Sequence, residues 1–237
     1  MRNEQKIAEA VEGLIESLGV EDPRVALLEG RREASALARL VHMVLADAKC
    51  DNITIRRALW LSGVYNNADV ISDLMAMLRG RPELALNAGI ALERIGASAM
   101  LDELAAIVRD ATYTAACRMG AVHAVAGIAT VRAAEVLRHA LFLSGQEPPV
   151  LKAVINSFVY VQLKSGAKDA TSDLVKLIDS ESPDVRYSVL VALGNLGARD
   201  QLQQIARLRD DHSVTTNGKE VASEAERVMR LLGGHPS

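Results

Sequence analysis

The side chains with chemistry to offer are five histidines, two cysteines, several acid pairs and a spaced row of basic residues. His42, His123, His139, His212 and His235 never stand three or four residues apart, and no neighbouring Cys or Asp completes a set around any of them. A structural or catalytic zinc needs three or four such ligands converging, so neither a metal nor another cofactor is expected. Of the five, His123 is the one expected to face a groove; His42 and His139 read as structural residues on apolar helices. Cys50 and Cys117 lie 67 residues apart, which is neither a disulfide framework nor a ligand spacing. Cys117 reads as a small core residue and Cys50 as a thiol near a turn. The pairs Asp102-Glu103, Asp210-Asp211 and Glu224/Glu226 fall at expected helix starts, turns or solvated faces. General acid/base work needs two carboxylates sharing one pocket, and these do not suggest one. Neither a dinucleotide glycine loop nor a phosphate loop is present. No catalytic residue is expected.

The basic residues lead to the architecture. Arg118, Lys152 and Arg186 are spaced 34 apart, and similar apolar surroundings recur near Ala85 and Arg56. The spacing predicts a repeat of two helices, A then B, with these positions near the start of each B helix. In Ser182-Pro-Asp-Val-Arg-Tyr-Ser-Val-Leu-Val-Ala-Leu-Gly-Asn-Leu-Gly197, residues Val185, Ser188, Val189, Ala192, Leu193 and Leu196 share one helical face. Ser182 is the expected N-cap, Pro183 fits the first turn and Gly197 fits the C-terminal stop. Gly145, Gly166, Gly194 and Gly197 read as helix ends or close-packing sites. Expected A helices are 69–78, 100–108, 133–143, 170–178 and 201–208. No segment alternates with period two, so no strand is expected. Segments 4–18 and 33–46 fit the repeat less well and read as a cap, and 219–232 as the closing helix.

These elements give an all-α fold: an α-solenoid of antiparallel helix pairs with about six to seven repeats. Residues 1–48 are assigned to N-terminal capping helices, 49–232 to the repeats and 233–237 to a tail, within one continuous domain.

Composition agrees. The chain has 237 residues, 49% hydrophobic and 24% charged, enough to bury a core. Aromatics are only 3%, as suits helices packed through small side chains. The net charge of −3 argues against a general nucleic-acid binder. The charged start MRNEQKIAEAVEG lacks the apolar run of a secretory signal, and no apolar stretch is long enough to span a bilayer. A cytoplasmic protein with reduced thiols and no membrane contact is the expectation.

The string Pro183-Asp-Val-Arg-Tyr-Ser-Val-Leu-Val-Ala-Leu-Gly194 resembles the B-helix signature of HEAT repeats, with Asp184, Val185, Arg186, Ala192, Leu193 and Gly194 as the matching residues. Asp173 to Asp179 looks like the matching A helix. With the weaker units, the resemblance covers about residues 50–232. It implies a HEAT-like superhelix, of the kind that in bacteria usually serves as a protein-binding scaffold. Some relatives of that type are phycobilin lyases, and a distant branch is a DNA glycosylase.

The site expectations follow from the repeat. Trp60, Leu61, Tyr65, Ile90, Arg94, Met119, His123, Tyr160, Tyr187 and Val191 are placed on or near a concave B-helix surface. An aromatic and apolar strip there suits a protein partner, because Trp, Tyr and Arg dominate binding hot spots. The other reading of the same residues is core packing between neighbouring B helices. Arg56, Arg118, Lys152 and Arg186 form a basic ladder. It either lines the groove for an acidic partner or pairs with acids such as Asp51, Asp110 and Asp184 inside the stack. The function expected is a non-enzymatic scaffold or adaptor for another protein. The alternatives are a phycobilin-lyase-like subunit or, less favoured, a nucleic-acid-binding protein. Exposed repeat ends leave pairing of two copies open.

Overall fold

A computed structural model describes residues 41–47, 49–66, 68–165 and 170–233. Among these the fold is all-α, with one isolated antiparallel bridge, Val214 to Glu220, in place of any strand. No helix among them is long and apolar enough to cross a membrane. The chain divides into two compact units between Ile128 and Ala129. Most of the expected 1–48 cap, Gly166 and residues 234–237 lie outside the described residues; 41–46 are helical.

The first unit contains α1 (Asn52–Val64), α2 (Ile71–Gly80), α3 (Pro82–Ile95), α4 (Leu101–Arg109) and α5 (Ala115–Ile128). Here α2 and α4 are A helices, each packed on the B helix that follows it, while α1, α3 and α5 lie side by side in chain order. Local signals set the ends. The Asp51 carboxylate accepts from the backbone N–H of Ile53 at 2.7 Å and of Thr54 at 3.0 Å, capping α1. Those bonds hold its carboxyl below the usual range. Pro82 opens α3, and Gly96 closes it with φ +65°. Acids in the first turn of α4 and Arg109 in its last turn complement the helix dipole. Leu74, Leu78, Leu84, Leu92 and Leu104 are fully buried between the A and B layers.

The B helices of this unit approach through glycine. A Cβ built on Gly89 would lie 2.2 Å from the Gly120 carbonyl oxygen, and one on Gly120 would lie 2.4 Å from the Ala85 oxygen. On Gly127 it would meet the Glu93 oxygen at 1.9 Å. Backbone touches backbone along the α3–α5 crossing, so no side chain fits between the helices there.

The second unit contains α6 (Val131–Ala140), α7 (Pro148–Ser165), α8 (Ala170–Val175), α9 (Pro183–Asn195), α10 (Leu202–Ala206) and α11 (Val221–Leu231). The B helices α7, α9 and α11 are neighbours in that order, and α6, α8 and α10 pack on them. Phe158, Val185, Val189 and Leu193 fill the centre. Pro183 occupies the first turn of α9, as expected. Gly197 has φ +66°; its N–H bonds to the Gly194 oxygen and the Ala198 N–H to the Leu193 oxygen, both at 3.1 Å. That is a Schellman stop. Ser182 corrects one expectation: it sits at the cap position, but its side chain makes no capping bond. Gly194 is a close-packing site, with a built Cβ 3.2 Å from Val228. The closing helix begins at Val221 rather than Lys219, because residues 213–220 form a tight loop pinned by the Val214–Glu220 bridge.

Candidate functional site

Four of the six described B helices, α1, α5, α7 and α9, carry one of the four basic residues near their start, and each of these residues reaches protein groups beyond its own helix. Arg186 does so most fully. Its Nε and Nη2 donate to the two Asp211 oxygens at 2.7 and 3.2 Å, and its Nη1 donates to the carbonyls of Ser180 at 2.6 Å and Glu181 at 3.0 Å. One guanidinium thus joins the end of an A helix to the linker of the following pair. Burial would raise the Asp211 carboxyl, but Arg186 and Ser213 outweigh it and hold it below its ordinary value.

Asp184, two residues earlier, is buried at 9% exposure. Its Oδ2 accepts from the Thr216 N–H at 3.0 Å and its Oδ1 from the Thr216 hydroxyl at 2.9 Å. The Lys152 ammonium stands 3.5 Å from Oδ1. Burial opposes the charge, yet the Thr216 and Lys152 contacts win and keep Asp184 ionised to lower pH than usual. Arg118 is buried, and its Nε donates to the Val108 carbonyl at 3.2 Å, across the A–B turn beside Asp110. Arg56 is exposed, with Nη2 3.5 Å from the Glu83 carbonyl on α3. Asp51, one of the acids expected to pair with this row, caps α1 instead. Lys152 also borders a cavity.

That cavity lies on the B-helix face of the second unit and has a volume of about 150 Å³. Lys152 and Asn156 of α7, Tyr187 and Val191 of α9, and Asn217 and Lys219 of the 213–220 loop line it, over a floor of Ser188 and Thr215. The Tyr187 hydroxyl bonds the buried Glu224 carboxylate on α11, and burial together with Glu224 pushes the phenol up. Glu224 is also gripped by Arg227 through two bonds at 2.9 and 2.6 Å. Tyr187 is therefore an anchored wall.

Next to the cavity the surface turns apolar. Tyr160, one turn beyond Asn156 on α7, is 43% exposed, and Leu163 is 59% exposed. Lys164 sits over the Tyr160 ring at 5.8 Å. Val214, on the loop across the cavity, is 58% exposed.

In the first unit the expected strip is only partly at the surface. Tyr65 and Arg94 are exposed, whereas Trp60, Ile90 and Met119 are half-buried. Leu61 is a correction: it is fully buried, in the core behind α1. His123 Nδ1 lies 3.1 Å from Glu93 Oε2, which ties α5 to α3. Cys117 is buried and accepts the Thr114 hydroxyl at 3.1 Å, and Cys50 is partly covered, its thiol pushed up by burial and by Asp47. Among the described residues no three His, Cys, Asp or Glu side chains group to hold a metal ion.

Sequence reasoning missed Asn156, Thr215, Asn217 and Lys219. Asn217-Gly218 is a turn dipeptide, with Gly218 at φ +73°. That signal marks a loop folding back toward α9, but not which cavity it borders. No family model matches the chain, and no curated protein matches it either.

Proposed function

We propose that the protein is a non-enzymatic α-solenoid of HEAT-like helix pairs that holds a segment of a partner protein against its B helices. The observation that carries this reading is the surface of α7 and α9. There exposed Tyr160 and Leu163 adjoin a cavity walled by Tyr187 and Val191. Such side chains give a partner an apolar surface to bury and an aromatic anchor that loses little entropy on binding. The cavity is smaller than the roughly 300–1,000 Å³ of typical metabolite and drug sites. It suits a side chain of a longer ligand better than a tetrapyrrole or a whole substrate. The protein works in the cytoplasm, a location supported by two free cysteines and no disulfide among the described residues.

The test is affinity capture with full-length bait. A protein bound by the wild type is expected to fall at least about tenfold in affinity with Tyr160→Ala/Leu163→Ala. Both side chains are largely exposed, so the variant keeps the wild-type circular dichroism and melting midpoint. Undiminished capture by the folded double variant would remove this face from the account.

A further inference from the structure

The cavity has a charge as well as a shape. Two ammonium groups, Lys152 and Lys219, border it, and no carboxylate does. Lys152 is shared with Asp184, whose two oxygens are already occupied by Thr216. Lys219 is exposed, and its ammonium pairs with no carboxylate among the described residues. Its backbone N–H donates to Thr215 Oγ1 at 2.9 Å, which fixes the base of the side chain at the rim. The amides of Asn156 and Asn217 supply further donors. Glu224, behind the Tyr187 wall, is taken up by its bonds to Tyr187 and Arg227, and Glu220, next to Lys219, by His212 and Ser223. The result is a small, net-positive, donor-rich cup with one lysine left unpaired.

We propose that this cup receives the carboxylate of an Asp or Glu side chain from an extended partner segment, whose adjacent apolar residues lie over Tyr160 and Leu163. The inference rests on the scaffold reading above and adds the chemistry of the partner. Size selects the ligand: about 150 Å³ accommodates one acidic side chain and a few waters. Charge selects it again: a Lys or Arg of the partner would face the unpaired Lys219, and an uncharged residue would leave Lys219 unmatched. The apolar strip beside the cup sets the direction of the segment, with the acid at the α9–loop end and the apolar residues toward the C-terminal end of α7. Much of the attraction is near the surface, so binding weakens as salt rises.

Selection of a displayed library of random linear peptides against the full chain tests this. The expected result is enrichment of peptides with an Asp or Glu at a fixed offset from apolar residues. Their affinity should fall at least about tenfold with Lys219→Glu, should return in part when the peptide acid is changed to Lys, and should fall separately with Tyr160→Ala. Lys219 is a solvent-exposed loop residue, so the charge reversal leaves the fold intact; Lys219→Ala, with a smaller loss, provides the second variant. Enriched peptides that lack acids, lose affinity with Tyr160→Ala and ignore Lys219→Glu would overturn the carboxylate cup while leaving the scaffold reading in place. Enrichment insensitive to both substitutions, or no enrichment, would overturn both. Inorganic phosphate that raises the melting midpoint of wild type but not of Lys219→Glu, with no acidic peptide selected, would make the cup a free-anion site and overturn the proposal.

Discussion

Gly120→Ala is expected to destabilise the first unit by about 3 kcal/mol, an overpacking cost at the upper end of the usual range. The new methyl would sit 2.4 Å from the Ala85 oxygen and 2.6 Å from Leu78 Cδ1. The leucine tip can move, but the Ala85 carbonyl belongs to the backbone of α3 and cannot move without shifting that helix. Gly89 offers no relief, because it faces Gly120 across the same crossing. Helix propensity pulls the other way, since Ala is better than Gly in a helix by about 1 kcal/mol. Sterics win here because both neighbours are closer than any real Cβ contact. Gly80, the last residue of α2, is the control: nothing lies within 4 Å of a Cβ built there. Gly80→Ala should therefore gain about 0.5 kcal/mol through the unfolded chain's lost freedom. In thermal unfolding the two alanines should move the midpoint in opposite directions, with a fall of roughly 6–12 °C for Gly120. Equal or same-signed shifts would mean that the helices are not in backbone contact.

Arg186→Met should cost about 3 kcal/mol, as expected when one partner of a largely buried ion pair is removed. The Asp211 carboxylate, 16% exposed, would lose both guanidinium bonds, and the carbonyls of Ser180 and Glu181 would lose their donor. Methionine replaces most of the aliphatic volume, so the loss reports the polar junction rather than a cavity. The pH dependence follows from the same groups. Asp184 and Asp211 titrate lower in the folded chain than when unfolded. Their stabilisation is thus complete above the unfolded carboxylate value of about 3.9 and is lost as pH falls through the lower folded values. In urea titrations the wild type should lose stability steeply below about pH 4. Arg186→Met, already without the Asp211 junction, should show a shallower acid limb. Parallel pH profiles for the two proteins would deny Arg186 this role.

Much of the helical layout was legible because the apolar period is strong. An A helix expected over 100–108 is observed as Leu101–Arg109, and one expected over 170–178 starts at Ala170. The register of the first B helix was harder to read. The step of 29 residues from Arg56 to Ala85 pairs Leu61 with Val191, yet α1 and α3 begin at Asn52 and Pro82, 30 residues apart. One residue is 100° of helix, and it turns Leu61 into the core and Trp60 toward the position of Ile90. The glycine crossing was hidden for a different reason. In sequence, a Gly within a helix at 89, 120 or 127 signals only a propensity cost, and its use depends on a partner backbone 30 or so residues away. The cup was half visible. Lys152, Tyr187 and Val191 stand at repeat positions, whereas Asn217 and Lys219 come from a loop outside the repeat, placed by the Asp184–Thr216 bonds.

The central claim is that the α7–α9 face is where another protein sits. Photo-crosslinking in cells tests it most directly, with a benzophenone amino acid at Tyr160 and, separately, at Gln203, an exposed residue of the A helix α10. The account predicts a discrete heavier adduct from position 160, containing a second protein and abolished by Lys219→Glu in the same chain, and none of that adduct from position 203. An adduct from position 203 with position 160 silent would contradict it.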